Sequence, residues 1–404
     1  MKQPSQLRVL FVSNMTVSPG SGGGTTVFRL LEPNPSGTEV FYASPVEFPS
    51  HWKPFEDIYC RTEWFSMTPE DGMLRLPKCL RIRPIRRWEE KFARSALLIR
   101  RHERWMAKQL LRVIRKRGID VLLLCPQGTI HTSALLIQKV KVPAVTWFMD
   151  DYYSGTKEKL YLKQIWDKSY RRFVVSEAMQ QRFSTNFGGE CDVLNNSVIF
   201  PTYYVEPIVQ RMSPLKLAYA GGLHAYYIES LTAVINAVEA LSGRVVFNIY
   251  SHEERPAALR TLNLQHCHFL QGVSPERIHE CLQSEDVLLS LSSFRPEHRA
   301  IAETSLASKT VDYLAAGRCM MVYGPEYAEN VRYAERYNIG AVVTTPDLTK
   351  LQEMILFLAD EGECRRNLGE RAFQFGRTRH DVRVNRERLW DALAAAKLST
   401  KREI

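Results

Sequence analysis

Residues 303–325 read ETSLASKTVDYLAAGRCMMVYGP, and the order of their signals decides how the second half of the chain folds. Ser305, Ser308, Lys309 and Thr310 stand before and within a helical pattern whose apolar positions are Leu306, Val311, Tyr313 and Leu314. Hydroxyls ahead of an apolar period open a helix. Gly317 stops it as a C′ glycine, Cys319 to Tyr323 is an apolar run suited to a buried strand, and Gly324-Pro325 closes the run. The unit is helix, glycine stop, buried strand. At the helix start, unpaired N–H groups, the positive end of the dipole and the Lys309 ammonium converge, a setting for a phosphate or diphosphate. Asp312, at i+3 from Lys309, shares that face and can accept from sugar hydroxyls beside the phosphate. A plain cap with a solvated lysine is the structural alternative.

Upstream, the same grammar recurs. Leu7 to Ser13 is a nearly all-apolar strand, Ser18 to Gly24 a glycine-rich loop, and Thr25 to Leu31 a helical period. Glycines there let a backbone approach an anion or a sugar hydroxyl closely. Thr38 to Ala43 is a second strand, followed by a long irregular stretch with His51, Trp52, Trp64 and Phe65, a place for ligand contacts. Trp88 to Arg117 has helical composition, with Phe92, Leu97, Leu98, Trp105, Leu110, Leu111 and Ile114 as its apolar face. Val121 to Cys125 and Pro143 to Phe148 are buried strands flanking the helical stretch His131 to Val140, a parallel strand-helix-strand unit. Asp150 and Asp151 follow the second of these, beyond the carboxyl end of a strand, where open α/β sheets keep their ligands. Either could serve as a base, hold a hydroxyl or cap a helix.

A second series begins at Leu215 to Ala220, turns at Gly221-Gly222-Leu223-His224 and enters a helical pattern over Tyr227 to Leu241. Strands at Val245 to Tyr250, His268 to Leu270 and Val287 to Ser290 alternate with helical stretches at Pro256 to Leu262 and Pro275 to Ser284. Ser292 to Ala302 reads as a polar loop, Glu326 to Ile339 as a helix, Asn338 to Val343 as a last strand, and helical stretches run to the end.

Ser308-Lys309-x-x-Asp312-Tyr313-Leu314-Ala315-Ala316-Gly317 resembles the donor-binding signature S-K-x-x-E-Y-L-A-x-G of glycosyltransferases with the B-type fold. Ala307 stands for the family's proline, Asp312 for its glutamate and Cys319 for its second proline. The resemblance implies an α/β protein with two Rossmann-like domains facing across a cleft, metal-independent transfer of a sugar from a nucleotide donor to an acceptor hydroxyl, and retention of configuration. Uridine is the expected base. Residues 1–200 would form the acceptor domain and residues 201–375 the donor domain, with residues 376–404 a terminal helix returning to the first; Phe373 to Leu393 resembles that helix.

By the same resemblance Ser308, Lys309 and Thr310 hold the diphosphate and Asp312 the ribose, while Gly23 and Gly24 lie over the donor. Gly222 and His224 mark the second glycine turn, where the family's arginine and lysine are missing, so Lys309 supplies the charge with help from His224 or from Arg295 and Arg299. Val273 sits where a backbone group reads the base, and Glu303 is placed to contact the donor sugar. Asp150 stands in the place of the family's histidine. Two rivals remain: a sugar-nucleotide epimerase of the same fold, and a non-catalytic nucleotide-sugar-binding partner.

Composition sets the outer limits. The 404 residues are 45% hydrophobic, enough for large cores in two or three domains. No run approaches the length of a membrane span and the start lacks a signal peptide's apolar stretch, which predicts a cytoplasmic protein. The eight cysteines show no paired spacing, so reduced thiols and no metal site or cofactor are expected. Arg75 to Arg117 holds sixteen Lys and Arg against Glu89, Glu90 and Glu103, a surplus above the whole chain's net charge of +10. This local patch suits an anionic membrane surface or a lipid-linked acceptor, alongside a soluble saccharide acceptor; no zinc-finger or RRM-like motif points to nucleic acid.

Overall fold

The computed structural model describes residues 7–15, 17, 22–43, 96–151, 156–207, 214–262 and 264–400. The aromatic stretch expected to make ligand contacts, most of Ser18 to Gly24 and the first part of the basic stretch lie outside them. The chain divides into two compact units, Met1–Leu194 with Asn385–Ile404, and Asn195–Val384.

The first unit runs β1 (Leu7–Val12), α1 (Gly22–Leu31), β2 (Thr38–Ala43), α2 (Ala96–Arg117), β3 (Val121–Leu124), α3 (Ile130–Lys139), β4 (Ala144–Phe148), α4 (Lys159–Lys168), β5 (Arg171–Val174), α5 (Glu177–Phe187) and β6 (Asp192–Val193). Its strands form one parallel sheet in the order β2-β1-β3-β4-β5-β6. Every residue of β3 and β4 is buried, as near-continuous apolar strands require when both faces of a parallel sheet are covered. Leu110 and Ile114 of α2 and Leu136 and Ile137 of α3 join the core on one face.

The second unit runs β7 (Leu215–Ala220), α6 (Ala225–Glu239), β8 (Val245–Ser251), α7 (Ala257–Arg260), β9 (Cys267–Gln271), α8 (Ile278–Gln283), β10 (Val287–Leu291), α9 (Arg299–Ala302), α10 (Lys309–Ala316), β11 (Cys319–Tyr323), α11 (Glu329–Tyr337), β12 (Ala341–Val343), α12 (Leu348–Asp360) and α13 (Gly362–Arg379), and the last helix, α14 (Val382–Thr400), belongs from Asn385 onward to the first unit. All strands of the second unit are parallel, in the order β12-β11-β10-β7-β8-β9. Counted from β7 as the first, this is the doubly wound order 3-2-1-4-5-6, reversing between β7 and β10. Ligands of such sheets bind outside the strand ends at that reversal.

The helix-stop-strand unit forms as its residues dictate. Gly317 takes the left-handed conformation, φ 65° and ψ 29°, and a Cβ there would come within 2.8 Å of the Tyr204 ring. A side chain is therefore excluded on two counts. Both sheets and the parallel α/β class agree with the sequence reading, and four local expectations change. Gly22 to Gly24 form the first turn of α1 rather than a loop. Helix α4, which the sequence reading leaves out, buries Leu162, Ile165 and Trp166 at i, i+3 and i+4. The stretch Ser292 to Ala302 is not all loop, since Pro296–His298 is a 3-10 turn leading into α9.

The terminal helix is broken. At His380-Asp381 the chain extends to pair with Val198: Val198 N–H donates to His380 O at 3.0 Å and Val382 N–H to Val198 O at 2.9 Å. The Asp381 carboxylate then accepts the Arg383 N–H at 2.8 Å as α14 begins. Farther on, Lys397 Nζ donates to Asp120 Oδ2 at 2.9 Å and Arg386 to the carbonyls of Arg29 and Glu32, contacts that hold α14 within the first unit. No described helix is long and apolar enough to cross a membrane.

Candidate active site

Helix α10 brings Lys309 under the end of β7. Its ammonium lies over the Tyr219 ring, 3.7 Å from the centroid, and over the Tyr227 ring at 4.2 Å. Part of the residue reaches the surface, yet Nζ itself is shut from solvent and has no hydrogen-bond partner among the described residues. Burial holds this amine well below the ordinary lysine value, and the Glu253 carboxylate pushes weakly the other way. The aromatic faces attract the charge, about 0.5–2 kcal/mol per cation–π pair, without replacing a hydrogen bond. The ammonium is thus left with ring faces in place of a hydrogen-bond acceptor among the described residues.

The turn above it is shaped around the cation. A Cβ on Gly221 would stand 2.8 Å from Lys309 Nζ, and one on Gly222 would stand 2.5 Å from His224 Nε2. Tyr219 Oη donates to Gly222 O at 2.7 Å, and the Tyr313 hydroxyl of α10 accepts the Ala220 N–H at 2.9 Å. Helix α10 is thus fastened to the strand end that its lysine serves.

The other second-unit residues sort by distance from this centre. Ser308 stands at the N-cap position with helical angles and makes no side-chain cap, while Thr310 Oγ1 is buried without a hydrogen-bond partner among the described residues. Asp312, one turn on, raises the affinity of the half-buried His279 for a proton, although burial leaves that imidazole below its ordinary value. His224 heads α6, its Nδ1 3.4 Å from Glu253. The Val273 carbonyl lies 3.3 Å from His252 Nε2.

Arg295 and Arg299 do not supply free positive charge. Arg295 pairs with Glu229 at 3.2 Å and with Glu297 at 3.7 Å. Arg299 donates to Glu303 at 2.7 Å and lies over the Tyr327 ring. Glu303, expected against the donor sugar, holds that arginine, and its carbonyl accepts from Arg332 at 2.5 Å.

In the first unit, Gly23 and Gly24 open α1, and a Cβ on Gly23 would meet Met15 Sδ at 2.9 Å. Asp150 follows β4 and accepts from Gln127 Nε2. Asp151 is taken up differently: its side chain is fully buried and pairs with Arg182 Nε of α5 at 2.8 Å. That ion pair ties β4 to α5 and takes up the carboxylate, which leaves Asp150 as the one beside the strand mouth. Among the described residues no cluster of three or more His, Cys, Asp or Glu side chains is arranged to hold a metal ion.

No family model and no curated protein sequence matches this chain. Solved structures do. HepE from Anabaena, in complex with UDP and glucose, superposes with a TM-score of 0.64 at 12% identity over 96% of this chain and 100% of its own. Sucrose-phosphate synthase from Thermosynechococcus elongatus gives 0.69 at 10% identity over 96% and 100%. A glycosyltransferase from Rickettsia africae gives 0.66 at 13% identity over 97% and 98%. The chain has the GT-B fold. At such identities the GT-B likeness speaks for architecture, and the roles of side chains rest on geometry.

Sequence reasoning missed Tyr219, Tyr227, Glu253, Gln127 and Arg182. Tyr219 and Tyr227 flank the glycine turn, and aromatic residues on both sides of Gly221-Gly222 were the available signal. Glu253, Gln127 and Arg182 meet their partners across 23 to 31 residues or more of chain, and no local pattern marks them.

Proposed function

We propose that the protein is a glycosyltransferase that moves a sugar from a nucleotide donor, UDP-linked by preference, to an acceptor hydroxyl with retention. The observation that carries this reading is the buried Lys309 ammonium, without a hydrogen-bond partner among the described residues, beneath a glycine turn at the sheet's reversal point. A diphosphate seated there supplies the missing acceptors, and in a water-poor site each such contact stabilises the charge that develops as the donor bond breaks. The acceptor oxygen bonds to the anomeric carbon while the bond to the diphosphate oxygen breaks. The electron pair departs with the diphosphate, which takes up the acceptor proton, and Asp150 orients a hydroxyl.

Thr310 and Ser308 complete the phosphate cradle in this reading, Asp312 receives the ribose, and leaving-group charge is met by Lys309 rather than by a metal ion. HepE from Anabaena, also solved with UDP-glucose, is consistent with a uridine donor. The acceptor is a saccharide or a lipid-linked glycan at the cytoplasmic face of a membrane. Arg100, Arg104, Lys108, Arg112 and Arg115 are exposed at helical spacing along α2 and would meet its anionic lipids.

Thermal-shift titration with UDP, GDP and ADP tests the reading, because a ligand that binds the folded state raises the midpoint by mass action. One nucleotide is expected to stabilise the wild type, and Lys309→Ala to abolish the shift. No shift with any of them removes the donor site. A second reading, a nucleotide-sugar-binding partner without catalysis, draws on the carboxylate pairing of Arg295 and Arg299. It predicts nucleotide binding with no turnover on any acceptor.

A further inference from the structure

The glycine turn that lies against Lys309 Nζ at Gly221 also holds a carboxylate, at Leu223. Glu253 follows β8, the strand beside β7, and its Oε2 accepts the Leu223 N–H at 2.7 Å. Its other oxygen lies 3.4 Å from His224 Nδ1, and its own N–H is fixed to Ser251 Oγ at 3.1 Å. The backbone of the turn is otherwise anchored from below, with Gly221 N–H on Tyr250 O at 3.0 Å and Gly222 O on the Tyr219 hydroxyl. A negative group thus caps an N–H of the turn that lies against a cation without a hydrogen-bond partner among the described residues.

We infer that Glu253 is a resident substitute for the donor's diphosphate: it occupies the Leu223 N–H and supplies the opposite charge near Lys309 until the incoming phosphates displace it. This rests on the reading of Lys309 as the diphosphate cation. A carboxylate seated on the turn and a phosphate drawn to the same donor and cation repel one another, so Glu253 sets a threshold that a ligand of higher charge overcomes more readily. The turn accordingly selects for two linked phosphates over one, and for a diphosphate over a lone carboxylate. Glu253 is exposed and free to swing outward, so displacement needs no change in the sheet.

Calorimetric titration of the full chain with UDP, UMP and uridine, on wild type, Glu253→Gln, Glu253→Ala and Lys309→Ala, separates the possibilities. The expected result is UDP binding that tightens about tenfold in Glu253→Gln and at least as much in Glu253→Ala, with a smaller UDP-over-UMP preference and unchanged uridine binding. Raising the salt concentration should shrink the gap between wild type and variant. UDP binding that Lys309→Ala abolishes but that both Glu253 variants leave equal or weaker overturns the role of Glu253 alone. Failure of wild type to bind UDP, GDP or ADP overturns the diphosphate reading beneath it. Weaker uridine binding in the Glu253 variants would show instead that the carboxylate only braces the turn, and would also overturn the inference.

Discussion

The two sheets end in the same kind of mouth and treat charge in opposite ways. At β4 in the first unit, Asp151 is fully buried and matched by Arg182, and Asp150 is held by Gln127. At β7 in the second, the Lys309 ammonium is equally shut from water and meets two aromatic faces, with no hydrogen-bond partner among the described residues. A buried pair that satisfies itself holds elements together. A buried charge left short of partners costs stability and is retained where a ligand completes it.

Replacing Lys309 by Met would break the contrast most sharply. On the proposed reading it removes the main charge facing the departing diphosphate, and kcat/KM for sugar transfer should fall by about a hundred- to a thousandfold. The same change takes an ammonium out of an apolar pocket and fills its volume, so unfolding stability should rise by about 1 kcal/mol. Opposite signs in activity and stability are the signature; a variant that loses both would mean that the lysine is a structural strut.

Asp151→Asn probes the other mouth. It leaves the Arg182 guanidinium facing a neutral amide, and breaking a pair buried on the carboxylate side should cost about 3 kcal/mol, read as a lower denaturant midpoint with an unchanged slope. A cost below about 1 kcal/mol would put the pair among ordinary surface contacts and erase the difference between the two units. Gly221→Ala is expected to act next most strongly. Its methyl would press Lys309 Nζ from 2.8 Å, and weakening of UDP binding by about tenfold, with a small loss of stability, should follow.

What the sequence made legible follows the reach of its signals. The unit from Ser308 to Tyr323 could be read because a helix period, a left-handed glycine and an apolar strand are each written within a few neighbouring residues. Lys309 was visible for the same reason, but its setting was not. Tyr219, Tyr227 and Glu253 come to it from 56 to 90 positions away, and only the parallel pairing of β7 with β8 and β10 brings them together. The break in the terminal helix is likewise non-local, since Val198 claims the backbone of His380 and Val382 across more than 180 residues. Arg299 and Glu303 show the reverse case: i, i+4 spacing announced an ion pair, and the expectation of a sugar contact overlooked it.

The subtlest measurement concerns protons. Because burial lowers the Lys309 pKa, folding penalises its charged form, and the penalty disappears as the amine deprotonates. The unfolded chain therefore binds more protons than the folded one between that lowered value and the ordinary 10.5, and stability contributed by this site should rise with pH across the interval. A diphosphate reverses the balance by favouring the ammonium. Titrations run well above the second phosphate pKa of about 6, in two buffers of different ionisation enthalpy, should show proton uptake on UDP binding that grows with pH towards one. Affinity should fall with pH by no more than about tenfold per unit, and Lys309→Met should abolish the uptake. Uptake that survives in the variant would come from a group other than the lysine. The contrast between a satisfied mouth and a waiting one would then not rest on the lysine.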